Sequence, residues 1–120
     1  MIRLLVCSSR SFALAGLVEK TLDNFSAEYD GVVINAWGTE GAGKIAHRWA
    51  KKNLALYDEL VLFQHSCDLV VAFGSGGSIP LRQAWKKRIP ALRVEEDGRH
   101  VRIGVGWKLL LQRRRKRVAR

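Results

Sequence analysis

The sequence predicts an α/β fold with a mainly parallel sheet. Short, nearly continuous apolar runs alternate with stretches whose apolar residues recur at helical spacing, the pattern of strands connected by crossover helices. Three of these runs end in loops rich in glycine and serine, at residues 8–12, 37–43 and 74–79. With 120 residues, 48% of them apolar, the chain can form the core of one domain.

The first strand–helix unit begins at the amino terminus. Ile2–Cys7 is an almost uninterrupted apolar run, as expected of a strand that is covered on both faces. Ser8–Ser11 follows as a polar loop. From Ala13 the apolar period becomes helical, and the predicted buried face of this helix carries Leu14, Leu17, Val18, Leu22 and Phe25.

A second strand–helix unit follows the first. Val32–Ala36 is its strand, and the loop at 37–41 leads into a helix from Ala42 to about Asn53. Lysines and arginines lie largely opposite the apolar side of this helix. Between residues 54 and 67 the pattern is ambiguous, because Tyr57–Phe63 fits a short helix and a strand equally well.

The second half of the chain contains the clearest buried strand, Asp68–Phe73, which ends in the loop Gly74–Ser78. The other elements predicted here are a helix from about Pro80 to Arg88, a strand over Pro90–Val94, a further strand over Val101–Val105 after a hairpin turn at Asp97-Gly98, and a short helical or frayed tail from Trp107. We therefore predict one domain over residues 1–107 and a tail over 108–120.

The positive charge is concentrated in that tail. The chain has 21 Lys and Arg against 11 Asp and Glu, a formal charge of +10. Seven cations and no acid lie within residues 108–120, which leaves 14 cations and 11 acids, or +3, in residues 1–107. Five of the seven form one block: Arg113, Arg114, Arg115, Lys116 and Arg117. Such a block attracts phosphate backbones without reading their sequence, and a solvated terminus that aids solubility is the alternative.

Several classes of protein are excluded by the composition. No apolar stretch approaches the roughly 18–20 residues of a membrane span, and Ser8–Ser11 interrupts a signal-peptide pattern with a charge and three hydroxyls. Cys7 and Cys67 are too few for a disulfide framework or a metal cluster. No metal or triad spacing is shared by His47, His65 and His100. We therefore predict a cytoplasmic protein with reduced thiols and without a metal, a cofactor or a membrane segment.

The glycine and serine loops indicate where a ligand binds. In parallel sheets, ligands bind beyond the carboxyl ends of the strands, which is where all three loops are expected. Small residues let an anion approach backbone amides, and the following helix adds its positive amino-terminal end. The richest loop consists of Gly74, Ser75, Gly76, Gly77 and Ser78. Because no general base is evident nearby, we interpret Ser8, Ser9, Ser75 and Ser78 as hydrogen-bond donors and not as nucleophiles.

The second loop has the spacing of a nucleotide triphosphatase phosphate loop. The segment Gly38-Thr39-Glu40-Gly41-Ala42-Gly43-Lys44 matches G-x-x-x-x-G-K between a predicted strand and a predicted helix. The next residue should carry a hydroxyl for Mg²⁺, and it is Ile45. A triphosphatase also has an acidic Mg²⁺ ligand at the end of an apolar strand. Asp68 precedes its strand, so it does not supply that ligand. The sequence thus argues against a triphosphatase, while Lys44 is either an anion contact or a solvated lysine.

The order of these motifs resembles the SLOG superfamily. Cys7–Phe12 is similar to its first-strand motif, and Gly38–Ala50 is similar to its Gly-Ala-Arg-Gly-Ala-Asp-Arg-Leu-Ala-x-x-Trp-Ala segment. Asp68–Phe73, the glycine loop and Ile89-Pro90 resemble its later strand, Gly-Gly-x-Gly-Thr loop and following strand. The resemblance covers roughly residues 2–94. It implies a Rossmann-like three-layer fold and a nucleotide or nucleotide-derived ligand.

The chain also departs from that family pattern. Its second motif has Glu40 in place of the family's Arg and Gly43 in place of its Asp, and the stretch before Asp68 is short. We therefore expect Arg10 to hold a phosphate and Glu40 either to accept from a ribose or base, or only to cap a helix. In the related LOG enzymes a Glu after the last glycine loop serves hydrolysis, and no Glu follows Ser78 here. Trp37 is placed to stack on a base.

Three functions follow, in order of preference. The first is binding of a nucleotide-type ligand, as a sensor or a sequestering protein, at Ser8, Ser9, Arg10, Gly38, Thr39, Glu40, Gly41, Lys44 and the 74–78 loop. The second is nucleic-acid binding through Arg113–Arg117 and a surface like that of the related DNA-processing protein A. The third is a nucleoside-monophosphate phosphoribohydrolase. Relatives of this fold are often dimers, so a homodimer stays open as an alternative to a monomer.

Overall fold

The computed structural model of the protein describes residues 1–58 and 67–114. Within these ranges one sheet contains six strands: β1 (Ile2–Ser8), β2 (Val32–Ala36), β3 (Leu56–Asp58), β4 (Leu69–Phe73), β5 (Ala91–Val94) and β6 (His100–Ile103). The helices of the same ranges are α1 (Ala15–Tyr29), α2 (Ala42–Lys52), α3 (Ser78–Lys87) and α4 (Trp107–Gln112). The predicted α/β fold is confirmed.

The strands follow the order β3-β2-β1-β4-β5-β6. The first five are parallel, and β6 pairs antiparallel with β5 through the predicted hairpin. In the hairpin turn the Gly98 amide donates to the Glu95 carbonyl oxygen over 2.8 Å. The chain moves outward from β1 to β3 and then crosses to β4 on the other side of β1. The sheet therefore has its topological switch point between β1 and β4, where open α/β sheets bind ligands.

Helices cover both faces of the sheet, as a three-layer Rossmann-like fold requires. Leu4 and Val6 of β1 face one core together with α1, α2 and Leu110 of α4. The alternate residues Leu5 and Cys7 face a second core, which contains Ala84 of α3. Because strand side chains alternate between faces, a strand buried on both sides has few polar positions. This explains the uninterrupted apolar runs.

The structure corrects the predicted start of α1. Leu14 was predicted on the buried face of the helix, but it precedes α1 and is 44% exposed. The loop instead brings Phe12 into the core, where its ring centroid lies 5.8 Å from that of Phe73. Because Phe12 fills this part of the core, the chain turns before the helix begins at Ala15. The strand predicted over Val101–Val105 is also displaced, because the observed strand β6 begins at His100 and ends at Ile103.

Two aromatic residues from the predicted helices have different environments. Trp49 is buried in the first core and donates from Nε1 to the Asp23 carboxylate of α1 over 2.8 Å. Trp85 of α3 is 65% exposed. In the undecided stretch, the structure shows a strand, β3, at Leu56–Asp58. Residues 59–63 and His65 lie outside the described residues. None of the helices in the described ranges is long and apolar enough to cross a membrane.

The packed part of the chain continues beyond the predicted boundary at residue 107. Leu110 of α4 is 4% exposed and belongs to the first core. Trp107, the first residue of α4, donates from Nε1 to the Ile103 carbonyl oxygen over 3.1 Å. The Arg102 guanidinium lies 5.1 Å from the centre of the same indole ring. The first part of the predicted tail is therefore an element of the domain.

Both cysteines are free and buried. Burial raises the pKa of the Cys7 thiol to about 12 and that of Cys67 to about 11. Because thiol reagents attack the thiolate, we expect an aromatic disulfide reagent near pH 8 to modify neither cysteine in the folded protein and both in denaturant. The absorbance of the released thiolate measures the reaction. Fast modification of a cysteine in native buffer would contradict this burial.

The same shifts predict a loss of stability at alkaline pH. In the unfolded chain the thiols ionise near their ordinary pKa of 9.0, well below the values of the buried thiols. Their contribution to the free energy of unfolding is therefore fully present below pH 9 and is lost as the pH rises toward the folded-state values.

Candidate functional site

The loops after β1, β2 and β4 meet at Ser8, the last residue of β1, and at Ser9. A Cβ added to Gly41, in the loop after β2, would lie 2.3 Å from the Ser9 carbonyl oxygen. A Cβ added to Gly76, in the loop after β4, would lie 2.0 Å from the Ser9 amide nitrogen. The three glycine- and serine-rich loops therefore pack backbone against backbone, with the end of β1 between the other two.

Much of the glycine content serves this packing between loops. The sequence indicated that glycine was needed for a ligand to approach, yet Gly41 and Gly76 face the β1 end itself. Gly77 lies against the Cys7 side chain, whose sulfur would be 2.7 Å from an added Cβ. Gly38 differs, because no atom lies within 4 Å of its added Cβ and the residue is exposed. Of these glycines, Gly38 is the one placed to let a ligand approach.

The hydroxyl of Ser8 is engaged within the protein. It accepts a hydrogen bond from the amide of Ala42, the first residue of α2, and donates to the Ser9 carbonyl oxygen, each over 2.8 Å. Ser8 thus caps α2 from a different loop, because the N-cap residue Gly41 has no side chain to do so. The hydroxyl of Ser9 lies at the surface, 3.5 Å from that of Ser11.

Two helix amino termini are directed to this edge of the sheet. The first i→i−4 bond of α2 runs from the Ile45 amide to the Gly41 carbonyl oxygen, and that of α3 runs from Leu81 to Gly77. The amides of Gly43 and Lys44 therefore precede the bonded part of α2. Neither helix has an acidic residue in its first turn. The positive ends of both helix dipoles are thus not neutralised by their own first turns, which favours an anion here.

The remaining predicted side chains lie at the rim of this edge. Arg10 is at the tip of a turn closed by the Phe12 amide, which donates to the Ser9 carbonyl oxygen over 3.3 Å. Within residues 1–58 and 67–114, neither Arg10 nor Lys44 forms an ion pair or a side-chain hydrogen bond. Both cations are free to meet a ligand. The exposed predicted residues are Arg10, Gly38, Thr39, Glu40, Lys44, Ser75 and Ser78.

Sequence reasoning missed Arg93, a residue of β5 that supports the glycine loop. Its Nη1 donates to the carbonyl oxygens of Gly74 and Gly76, the latter over 3.2 Å. A guanidinium that binds two carbonyl oxygens fixes the loop between β4 and α3 by charge-assisted hydrogen bonds. No local motif marks Arg93, because it is 17 and 19 residues from its partners. Only the parallel pairing of β4 with β5 brings them together.

One side of the site is acidic. A cavity of about 350 Å³ beside the glycine loop is lined by Gly74, Ser75, Glu95, Glu96, Asp97 and Arg99. The Glu96 carboxylate would lie 3.8 Å from a Cβ added to Gly74. Carboxylates repel phosphate and accept hydrogen bonds from hydroxyls, so the two sides of the site favour different parts of a ligand.

A larger cavity, of about 630 Å³, lies away from the three loops. It is bounded by α1, β6 and α4, and it includes Phe25, Tyr29 and Trp107. Some of its polar groups are engaged within the protein. The Tyr29 hydroxyl donates to the Leu110 carbonyl oxygen over 3.3 Å, and Arg114 lies 3.8 Å from the Glu28 carboxylate. The two arginines of the lining are thus both engaged, since Arg114 is near Glu28 and the Arg102 guanidinium lies over the Trp107 ring.

The described part of the basic block lies at the opposite edge of the sheet. Arg113 pairs with Asp68, which precedes β4, over 2.8 Å and donates to the Met1 carbonyl oxygen over 3.1 Å. Its hydrogen bond with Asp68 raises the already high pKa of Arg113. Arg113 and Arg114 therefore both pair with acids of the domain, while Arg115, Lys116 and Arg117 lie outside the described residues. β1 extends about 20 Å from this edge to the loops.

Ile45 and Trp37 are both directed toward the protein interior. Ile45 is 8% exposed and packs in the first core. The position at which a phosphate loop carries its hydroxyl is therefore a core position. Trp37 is half-buried and packs against the second core. Within the described residues, no group of three or more His, Cys, Asp or Glu could hold a metal ion.

Comparison with known families matches residues 2–58 to the YspA, cpYpsA-related SLOG family. The match supports a SLOG-superfamily protein. The matched residues run from β1 to β3, and they contain two of the three loops, those at Ser8–Arg10 and Gly38–Lys44. The glycine loop after β4 follows the matched residues. No curated protein and no solved structure matches the chain significantly.

This match agrees with the resemblance that the motifs carry, and with the Rossmann-like fold. It indicates a role in nucleotide-related binding in general terms. Because the match includes Arg10 and Lys44, the two unpaired cations belong to the part of the chain that the family description covers.

Proposed function

We propose that the protein binds a nucleotide or a nucleotide-derived small molecule at the carboxyl ends of β1, β2 and β4. The observation that carries the proposal is the meeting of three loops and two helix amino termini at the topological switch point. Arg10 and Lys44 add two unpaired cations at the same rim. A phosphate is the ligand group that best complements amides, helix dipoles and a guanidinium together.

The acidic side of the site suggests how the ligand is oriented. Its phosphate lies toward Arg10 and the start of α2, because Glu95, Glu96 and Asp97 would repel it at the other side. Its sugar hydroxyls lie toward the glycine loop, where the carboxylates accept their hydrogen bonds. A ligand with phosphate at one end and free hydroxyls at the other matches both sides.

Binding without hydrolysis is the form of this function that the residues favour. The related LOG enzymes have a catalytic carboxylate after the last glycine loop. In this chain the glycine loop is followed by Ile79 and Pro80, and α3 contains no acidic residue. The acids of the nearby cavity come from the turn after β5, so they do not correspond to that motif. We therefore interpret the protein as a sensor or a sequestering protein.

Isothermal titration of the folded protein against ADP-ribose, NAD, cyclic nucleotides and nucleoside monophosphates tests the proposal. We expect at least one of these ligands to bind, and Arg10→Ala to weaken that binding by about 10-fold or more, the effect of losing a charged hydrogen bond. Arg48→Ala is the matched control. Arg48 is exposed on α2, six residues and about 9 Å along the axis from the helix start.

The control separates a phosphate contact from a general effect of charge. Arg48→Ala removes the same charge and the same side chain, so its affinity should stay within about 2-fold of wild type. Equal losses in the two variants would contradict the role of Arg10. If no ligand of the panel produced heat at millimolar concentration, the proposed function itself would be wrong.

A further inference from the structure

The surface of α3 is strongly basic, although residues 1–107 as a whole are nearly balanced. From Leu69 to Val94 the chain has no acidic residue, and it carries Arg82, Lys86, Lys87, Arg88 and Arg93. Helix α1, on the other face of the sheet, carries Glu19, Asp23 and Glu28. The basic character of the α3 surface is therefore not shared by α1, whose three acids outnumber its one cation, Lys20.

An exposed indole lies in the middle of the α3 cations. Trp85 is 65% exposed, because the positions of α3 that face the sheet are taken by Pro80 and Ala84. Arg82 and Lys86 are exposed, and Arg82 lies one helical turn from both Trp85 and Lys86. Arg88 ends the helix immediately afterward. We call Arg82, Trp85, Lys86 and Arg88 the α3 patch.

The indole also forms one wall of a groove. A cavity of about 480 Å³ is lined by Trp85, Lys86, Arg88 and Val105. One edge of the ring lies beside Gly104, where an added Cβ would be 4.0 Å from Cε3. The groove therefore has an aromatic wall supported by the segment after β6 and cations beside it. Its volume falls within the range of pockets that hold small organic groups.

We propose that the α3 patch binds single-stranded nucleic acid, with a base against Trp85 and the neighbouring phosphates at Arg82, Lys86 and Arg88. Unpaired strands alternate a π-surface with an anion, and proteins bind them by aromatic stacking within a positive groove. A duplex conceals its base faces, so it cannot stack on the indole. A second copy of this surface would be repelled by its own charge.

This surface is separate from the candidate nucleotide site. Ser78 begins α3 at the glycine loop, and Trp85 lies seven residues further, about 10 Å along the helix axis. Arg113 and Arg114, the described residues of the carboxyl-terminal block, pair instead with Asp68 and Glu28. The proposal therefore depends neither on the ligand of the loops nor on the carboxyl-terminal block.

Fluorescence anisotropy of labelled 20-nucleotide oligothymidylate and oligouridylate with the full chain tests the proposal. We expect both to bind more tightly than a 20-base-pair duplex, and Trp85→Ala to weaken binding at least about 5-fold, as expected for one stacked base. Trp85→Phe keeps an aromatic face and should recover most of the affinity. Circular dichroism checks that each variant is folded.

A matched pair of double variants separates the patch from overall charge. Arg82→Glu with Lys86→Glu, and Lys51→Glu with Lys52→Glu, change the net charge equally, the second pair at the end of α2. The first should bind far more weakly, and it should lower the slope of log affinity against log salt by about 1.4, or 0.7 for each lost cation. Substitution of Arg115, Lys116 and Arg117 by serine should leave the dependence on Trp85 unchanged.

Several results would overturn the proposal. Equal losses in the two double variants would reduce the effect to charge alone, and unchanged binding by Trp85→Ala would remove the stacking contact. Binding to vesicles of anionic phospholipid that depends on Trp85, without binding to either oligonucleotide, would identify a membrane surface instead. Loss of binding only when the carboxyl-terminal cations are replaced would assign it to them.

Discussion

Replacing Gly76 with alanine is expected to lower the free energy of unfolding by roughly 3 kcal/mol and to abolish ligand binding at the loops. The added Cβ would lie 2.0 Å from the Ser9 amide nitrogen, 2.5 Å from the Ser8 carbonyl carbon and 2.7 Å from the Ser9 Cα. All three are backbone atoms of the β1 end, so no side chain can rotate away to relieve the clash. The loop after β4 must separate from β1. Urea unfolding followed by circular dichroism measures the change.

Gly38→Ala is the control for this substitution. Gly38 has φ +86°, so alanine there carries backbone strain, but its added Cβ meets no atom within 4 Å. We expect a cost of about 1 kcal/mol, which is typical of a left-handed conformation without a clash. A Gly76→Ala protein as stable as Gly38→Ala would show that the loops are not packed against Ser9. In that event the geometry of the site, and not only its ligand, would need revision.

The second large effect is expected at Arg93. Arg93→Met keeps the length and the apolar stem of the side chain, but it removes the hydrogen bonds to the carbonyl oxygens of Gly74 and Gly76. Because these bonds involve a charged donor and a partly buried site, we expect a loss of about 2 kcal/mol in urea unfolding. We also expect weaker ligand binding, since the loop that bears Ser75 is no longer fixed.

Arg93→Lys tests whether the guanidinium group, and not only its positive charge, is needed. An ammonium is a point charge without the planar fork of a guanidinium, so it should recover only part of the stability that methionine loses. Hydrogen exchange of the amides in the 74–78 loop should increase in both variants and most in Arg93→Met. A methionine variant with wild-type exchange and stability would rule out a supporting role for Arg93.

These variants distinguish the support of the loops from contact with a ligand. Gly76→Ala and Arg93→Met are expected to change both stability and binding, because they act on the backbone of the site. Arg10→Ala is expected to change binding alone, since Arg10 is exposed and has no partner within the described residues. A ligand that loses affinity only through Arg10 would indicate a phosphate contact at that position.

The order and type of the elements were predictable because local patterns encode them. A strand covered on both faces is apolar at most of its positions, which marks β1, β2 and β4 in the sequence. The glycine and serine loops were visible for the same reason. Their meeting at one edge follows from parallel pairing, because the carboxyl ends of parallel strands lie together.

Features that depend on distant partners were not predictable. Leu14 continues the helical period, yet Phe12 occupies the core, since the space beside Phe73 accepts the ring. Arg93 had no motif because its partners are in a loop that precedes it by 17 and 19 residues. The formal charge of residues 1–107 also concealed the basic surface of α3, because a sum over the chain contains no information about which face a charge lies on.

The sequence by itself determined the α/β fold class, the positions of the three loops and the resemblance to the SLOG superfamily, all of which rest on local composition, periodicity and motif order. The tertiary structure decided how the residues are used. It placed Gly41 and Gly76 against Ser9, engaged Ser8 as a cap for α2, and left Arg10 and Lys44 unpaired at the rim. The physical reason is that a glycine or an arginine carries the same local signal whether it meets a ligand or another loop. Only the packing of strand ends against one another separates these two uses.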